Sequence, residues 1–179
     1  MSESLSTRFP RLVGLALSLL LVALATGCKP SATRVFEDGQ RLVEAERFEE
    51  AIEKLNEART AFEDDPVLWS LMGLALHRTG QLERAETAYH QATTLAERAD
   101  LPLPDIHVKL AELYIDRGRP SLAIPLLEER LQVDPSAVDS LLLLGVAYRT
   151  QLSITTSDAD RRELLRKGED ILADGANKA

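Results

Sequence analysis

Cysteine and histidine are scarce in this 179-residue chain, which has one cysteine, Cys28, and three histidines, His77, His90 and His107. A single thiol excludes an intramolecular disulfide, so packing has to hold the fold together. The sequence has no His-x-x-x-His pair, no paired-cysteine motif, no Gly-x-Ser-x-Gly elbow and no phosphate-binding loop. We therefore predict no catalytic residue, no metal site and no cofactor, and we predict that the protein is not an enzyme.

Basic residues are also few relative to acidic ones, with 21 Lys and Arg against 29 Asp and Glu and a formal net charge of −8. Binding to nucleic acid needs a basic surface that neutralises phosphates, so this balance argues against a nucleic-acid partner. It also disfavours adsorption to anionic lipid headgroups. No stretch alternates apolar and polar residues as a half-buried strand would, which favours an all-α fold.

The N-terminal segment has the features of an export signal. Arg8 and Arg11 precede an apolar run at residues 12–25 that is too short to span a bilayer comfortably. The run leads into Ala25-Thr26-Gly27-Cys28, which resembles a bacterial lipobox. This resemblance implies cleavage before Cys28, acylation of its thiol and attachment to the membrane through the lipid.

We therefore predict a lipoprotein signal peptide at residues 1–27 and a lipidated tether at residues 28–33. The alternatives are an uncleaved anchor helix and an ordinary signal peptide with a coincidental cysteine. An aspartate directly after the cysteine resembles an inner-membrane retention signal, but Lys29 occupies that position here. In a cell with two membranes, we expect the protein on the outer membrane, facing the periplasm.

The chain repeats a pattern of small and large apolar residues. Its clearest copy comprises Trp69, Met72, Gly73, Leu76, Gly80, Ala85, Tyr89 and Ala92. A downstream copy starts at His107, an upstream copy at Val35 and a fourth at Leu141, and Ala51 and Ala85 lie 34 residues apart. This spacing resembles the tetratricopeptide repeat (TPR), in which each repeat is a pair of antiparallel helices. The resemblance implies an all-α, right-handed α-α superhelix, a TPR solenoid of about 3–4 helix pairs.

The repeats define the predicted domain organisation. TPR repeats cover residues 34–151, and a C-terminal capping helix and tail cover residues 152–179. The repeats span about 32–65, 66–99 and 104–137, and residues 138–151 form the first helix of a fourth. Eight helices are expected near 34–46, 48–63, 66–79, 82–98, 104–117, 120–132, 137–151 and 158–173.

Several residues mark expected helix ends. Gly80 and Gly118 follow first helices, where a left-handed residue lets the chain reverse. Asp65 precedes Pro66 as an N-cap followed by proline, and Ser136 with Asp139 has the spacing of a capping box. Ser157 and Asp160 can cap the last helix. Pro125 predicts a kink or a late start in the sixth helix.

A TPR solenoid has a concave surface formed by its first helices. In each first helix, the repeated small and large apolar residues pack against the second helix, and the residues that follow them by one position line the concave surface. In this family, that surface binds an extended segment or a helix of a partner protein. The predicted partner-binding groove comprises Phe36, Gln40, Val43, Ser70, Leu74, His77, Val108, Glu112, Ile115, Leu142, Val146 and Arg149. Alternatively, some of these residues, such as Val108 and Val146, pack against neighbouring helices.

Together these features predict a membrane-anchored TPR lipoprotein that acts as a protein-binding adaptor or assembly factor in the bacterial envelope. Similar exported lipoproteins assist the assembly of pili, secretins, outer-membrane proteins or cell-wall machinery. One alternative is a pilotin-like lipoprotein for pilus or secretin assembly. Others are a self-associating structural module and an enzyme that works through Cys28. The sequence leaves the oligomeric state open.

Overall fold

The structure, a computed structural model, describes residues 31–101 and 104–178. Within them the chain forms eight helices and no strand. In chain order they are α1 (Ala32–Glu44), α2 (Phe48–Ala58), α3 (Pro66–Arg78), α4 (Leu82–Arg98), α5 (Pro104–Asp116), α6 (Pro120–Val133), α7 (Val138–Ile154) and α8 (Asp158–Lys178). The predicted signal peptide and Cys28 lie outside the described residues. None of the described helices has the length and apolar character needed to cross a bilayer.

Consecutive helices pack as pairs, and the pairs stack along the chain. α1 packs on α2, α3 on α4, α5 on α6 and α7 on α8, and each second helix also contacts the first helix of the next pair. The first helices α1, α3, α5 and α7 contact one another in sequence as well. One layer of the molecule therefore consists of first helices and the other of second helices, as predicted for a solenoid.

The turns that follow the first helices α1, α3 and α5 repeat one hydrogen-bonding pattern. Gly80 has a φ of 76° and Gly118 a φ of 66°, which confirms both as left-handed residues that end a helix. After α3, the Gln81 N–H donates to the Leu76 carbonyl at 2.9 Å, which closes a Schellman motif. Glu46 takes the same position after α1 with a φ of 56°, although it is not a glycine.

The predicted caps are confirmed at two helix starts and wrong at a third. The Asp65 carboxylate accepts from the Val67 N–H at 2.8 Å, with Pro66 in the first turn of α3. The Ser157 hydroxyl accepts from the Asp160 N–H at 3.4 Å at the start of α8. The predicted capping box of Ser136 and Asp139 does not form. Ser136 hydrogen-bonds backward to Asp134 instead, so α7 begins without a side-chain cap.

Three predicted helix ends differ clearly from the structure, since the second, seventh and eighth helices are expected to end near 63, 151 and 173 but end at Ala58, Ile154 and Lys178. The sequence pattern predicts a second helix that reaches residue 63, but α2 ends at Ala58 because residues 59–64 form turns and a bend. The predicted range of the sixth helix, 120–132, is confirmed, and the late start that Pro125 suggested as one alternative is wrong. α6 begins at Pro120, where proline is free of the hydrogen-bonding requirement, and it continues through Pro125.

The core lies between the two layers and is built from the repeated positions. Its largest fully buried side chains include Tyr89, Leu55, Leu68, Leu113 and Leu127. Gly73 of α3 lies directly against Tyr89 of α4: a Cβ atom on Gly73 would lie 2.6 Å from Tyr89 Cδ1. The missing side chain of Gly73 thus makes room for the aromatic ring of the paired helix.

The last helix pair, α7 and α8, packs less closely than the second pair, α3 and α4. Gly145 of α7 occupies the repeat position of Gly73, yet a Cβ atom there would meet nothing within 4 Å. A cavity of about 240 Å³ lies between α7 and α8, lined mainly by leucines and by Gly145 and Gly168. α8 therefore completes a fourth pair without the close backbone approach of α3 and α4.

Candidate functional site

The twelve residues of the predicted groove all lie on first helices, but they differ in accessibility. Phe36, Val43, Ser70 and His77 are buried, with 7–8% of each residue exposed. Six are partly buried: Gln40, Leu74, Val108, Glu112, Ile115 and Val146. Arg149 is exposed, and Leu142 is 66% exposed. The accessible part of the groove therefore lies mainly on α5 and α7.

At the α1 end, two predicted groove residues belong to the core. The ring of Phe36 stacks on that of Phe62, with ring centroids 4.8 Å apart, and Val43 is part of the same core cluster. Phe62 belongs to the turn between α2 and α3, outside the repeated motif. Phe62 packs over Phe36, and Val43 is buried in the core cluster, so neither predicted groove residue belongs to the accessible surface.

The polar residues in the middle of the predicted groove join neighbouring first helices. His77 Nε2 lies 2.8 Å from a carboxylate oxygen of Asp116, and Arg78 lies 3.5 Å from Glu112. These contacts link α3 to α5. No group of three or more potential metal ligands occurs within residues 31–101 and 104–178. His77 therefore makes a structural contact with Asp116, and Glu112 forms an ion pair with Arg78.

The apolar groove residues separate into two kinds. Leu74 and Ile115 are partly buried and pack against the core cluster. Val108 and Val146, which could have been packing residues, are partly exposed and lie outside that cluster. Together with Leu142, these two valines are the apolar residues of the predicted groove that lie outside the core cluster.

Two adjoining cavities along the first helices are absent from the sequence-based prediction. The first, of about 370 Å³, lies between α3 and α5 and is lined by Val67, Ser70, Leu71, Leu101 and Ile106 among others. The second, of about 340 Å³, lies between α5 and α7 and is lined by Val108, Arg130, Asp134, Asp139 and Ser140 among others. Asp105 and Lys109 line both cavities.

A sequence signal for the missed residues existed. Leu71 and Lys109 each follow a predicted groove residue by one position, and Val67 precedes Ser70 by three. On a helix, positions three apart lie on the same face, and adjacent positions are about 100° apart around the axis, so the groove is wider than a single stripe. The second helices also contribute to the cavities, with Ala96 of α4 in the first and Arg130 of α6 in the second. These contributions depend on how neighbouring helix pairs pack, which the pattern of a single helix does not specify.

The second cavity has an excess of negative charge. Its lining includes the carboxylates of Asp105, Asp134 and Asp139 and the cations of Lys109 and Arg130. Arg130 lies 3.2 Å from Asp134. Hydrogen bonds from the hydroxyl and the backbone N–H of Ser136 lower the pKa of the Asp134 carboxyl below its ordinary value. Asp134 is thus charged and paired, which leaves Asp105, Asp139 and Lys109 facing the cavities.

Comparison with known families agrees with this arrangement of helix pairs. The profile described as "Tetratricopeptide repeat" matches residues 36–100 and 108–155, more than half of the chain. The chain belongs to the tetratricopeptide repeat family. TPR proteins are generally protein-interaction modules, and the eight described helices form a TPR superhelix. No curated protein matches the chain.

Solved TPR structures share the fold at low sequence identity. "Crystal structure of MamA" is 16% identical, with a TM-score of 0.68, over 99% of this chain and 98% of that chain. "MamA 41-end from Desulfovibrio magneticus RS-1" is 24% identical, with a TM-score of 0.62, over 80% and 76%. YrrB, described as "a TPR protein with an unusual peptide-binding site", is 14% identical, with a TM-score of 0.57, over 85% and 81%. At these identities the likeness shows the fold alone.

Proposed function

We propose that this TPR protein is a non-enzymatic adaptor that binds a segment of a partner protein on the face of its first helices. The observation that carries the proposal is the accessible apolar surface of Val108, Leu142 and Val146 on first helices, together with two adjoining cavities, the second of which Val108 lines. Leu142 lies in the second turn of α7 and is 66% exposed. The peptide-binding site described for YrrB is consistent with such a use of the fold.

Replacing both Val108 and Leu142 with serine is expected to weaken partner capture at least tenfold while leaving the fold intact. Both side chains lie outside the core cluster, so their removal deletes binding surface with little loss of packing. The full chain and the variant would be cross-linked in native envelopes and purified, and the captured proteins quantified. Circular dichroism and thermal melting would report the fold.

The matched control replaces Leu122 and Val133 with serine, because both are exposed on the second helix α6. This control should capture the same proteins as the unaltered chain. Equal loss in both double variants would contradict a specific surface, and so would full capture by the groove variant. Leu74 and Ile115 are unsuitable for this test because both pack against the core.

We also propose that Cys28 carries lipid and holds this adaptor on the bacterial envelope, with the outer membrane as its destination. Support comes from the apolar run at residues 12–25 and the sequence Ala25-Thr26-Gly27-Cys28. The role proposed for the anchored protein is to assist assembly of a larger envelope structure, for which a pilotin-like role is the alternative.

Replacing Cys28 with serine is expected to abolish lipid attachment, because serine has no thiol to acylate. Intact-mass analysis of the unaltered protein should show loss of residues 1–27 and a lipid adduct, and the variant should leave the membrane fraction. A processed variant that stayed equally membrane-bound would contradict lipidation. Cosedimentation of the unaltered protein with inner-membrane markers in a density gradient would contradict only the outer-membrane destination.

A further inference from the structure

We propose that the two adjoining cavities recognise a partner segment with an apolar side chain followed by a basic one, the apolar side chain in the first cavity and the basic one in the second. This inference rests on the proposed adaptor function and specifies the chemistry of the segment. The cavities adjoin at α5, since Asp105 and Lys109 line both. A bound segment would therefore cross α3, α5 and α7 in turn.

The first cavity is suited to an apolar side chain. Val67, Leu71, Leu101 and Ile106 line it, and Val67 and Leu101 remain 49% and 47% exposed. Burying such surface against an apolar ligand group removes it from water, which is favourable. The volume of about 370 Å³ accommodates a side chain as large as that of leucine or phenylalanine.

The second cavity is suited to a cation. Asp105 and Asp139 make no ion pair within the described part of the chain, whereas Asp134 is already paired with Arg130. Lys109 also makes no ion pair among the described residues, and its positive charge would repel a bound cation. Two unpaired carboxylates against one unpaired ammonium group still leave one negative charge in excess. A lysine or arginine side chain of the partner would complete this charge balance.

Two buried serines supply hydrogen-bonding groups along the same path. Ser70 lines the first cavity and is 7% exposed, and Ser140 lines the second and is 1% exposed. A serine hydroxyl can both donate and accept a hydrogen bond, so the main chain of a bound segment could pair with either one where it reaches the cavity surface.

The test begins with a random dodecapeptide display library selected on the immobilised full chain. Enriched peptides are expected to carry a large apolar residue and a lysine or arginine at a constant spacing. A fluorescein-labelled copy of the most enriched peptide then serves as the probe in fluorescence anisotropy. Its affinity for the unaltered chain should fall as salt is raised, because ion pairs near the surface are screened.

Charge variants of the protein give opposite expected results. The double variant Asp105→Asn with Asp139→Asn should weaken binding of the probe about three- to tenfold, because each exposed ion pair contributes only modestly to the binding free energy. Lys109→Met should strengthen binding about two- to fivefold, because it removes a repelling charge. Glu129→Gln with Asp64→Asn is the matched control, since it removes two exposed charges on other parts of the chain and should change nothing.

A steric variant tests the first cavity separately. Val67→Trp places a large ring at the exposed rim of that cavity and should reduce binding at least tenfold. Ile154→Trp, at a residue that is 57% exposed near the far end of α7, should not. Equal binding by both tryptophan variants would overturn the assignment of the first cavity.

The remaining outcomes separate this inference from the adaptor function. Enriched acidic peptides that bind more weakly to Lys109→Met and more tightly to Asp105→Asn with Asp139→Asn would overturn the charge assignment. If such peptides still required Val108 and Leu142, the adaptor function would stand. A selection that enriched no peptide, together with unchanged capture of envelope proteins by the Val108 and Leu142 variant, would overturn both proposals.

Discussion

Replacing Gly73 with alanine is expected to destabilise the chain by about 3 kcal/mol, because the added methyl group has no room. The new Cβ atom would lie 2.6 Å from Cδ1 and 2.7 Å from Cε1 of Tyr89. Tyr89 is fully buried, so its ring cannot turn outward without opening the core. Either α3 and α4 move apart or the tyrosine leaves its position, and both changes lose packing.

The same substitution at Gly145 is the matched control and should have the opposite sign. Gly145 occupies the equivalent repeat position on α7, where a Cβ atom meets nothing within 4 Å. Alanine there should stabilise the chain by about 0.5–1 kcal/mol, because glycine is a poor residue for a helix interior. Urea unfolding followed by circular dichroism measures both effects. Similar stabilities for the two variants would contradict the close contact at Gly73.

Truncating Tyr89 to alanine is expected to destabilise the chain by about 4 kcal/mol, a large fraction of the stability of an ordinary domain. Its side chain is the largest among those that are fully buried, and its removal leaves a cavity between α3 and α4. Trp69→Ala should have a smaller effect, about 2 kcal/mol, because the indole is only partly buried. The Trp69 Nε1–H donates to the Glu63 carbonyl at 2.7 Å near the surface.

Tyr89→Phe separates packing from hydrogen bonding at this position. The Tyr89 hydroxyl is buried and has no hydrogen-bond partner among the described residues, and burial raises the pKa of the phenol above its ordinary value. Removing this oxygen should therefore leave the free energy of unfolding unchanged or increase it. Calorimetric melting compares the three variants. A phenylalanine variant as unstable as Tyr89→Ala would show that the hydroxyl, rather than the ring, holds α3 and α4 together.

The sequence predicts those parts of the fold that depend on contacts within one repeat. Gly73, Ala85 and Tyr89 are spaced so that two consecutive helices meet, and Gly80 ends a helix by its own conformational freedom. These relations lie close together in the chain and recur in each copy. Helix number, helix order and most helix boundaries therefore agree with the structure.

The candidate groove was less predictable because accessibility depends on neighbours far along the chain. Phe36 occupies a regular groove position, yet Phe62 from an irregular turn stacks on it. Ser136 and Asp139 have the spacing of a capping box, but Ala137 is the N-cap of α7, so Ser136 lies one position before the place where it could cap the helix. A shift of one residue in a helix start has no periodic pattern. The two cavities likewise need residues from different pairs to lie side by side.

The loose packing of α7 against α8 also gives the solenoid an unfolding order. In a linear array, each pair is stabilised by its own packing and by its immediate neighbours, so a weak final unit reduces cooperativity only locally. The cavity beside Gly145 and Gly168 makes the C-terminal pair that weak unit. Amide hydrogens of α8 should exchange with solvent first, and those of α3 and α4 last. The chain would then fray from its C-terminal end while the middle pairs stay folded.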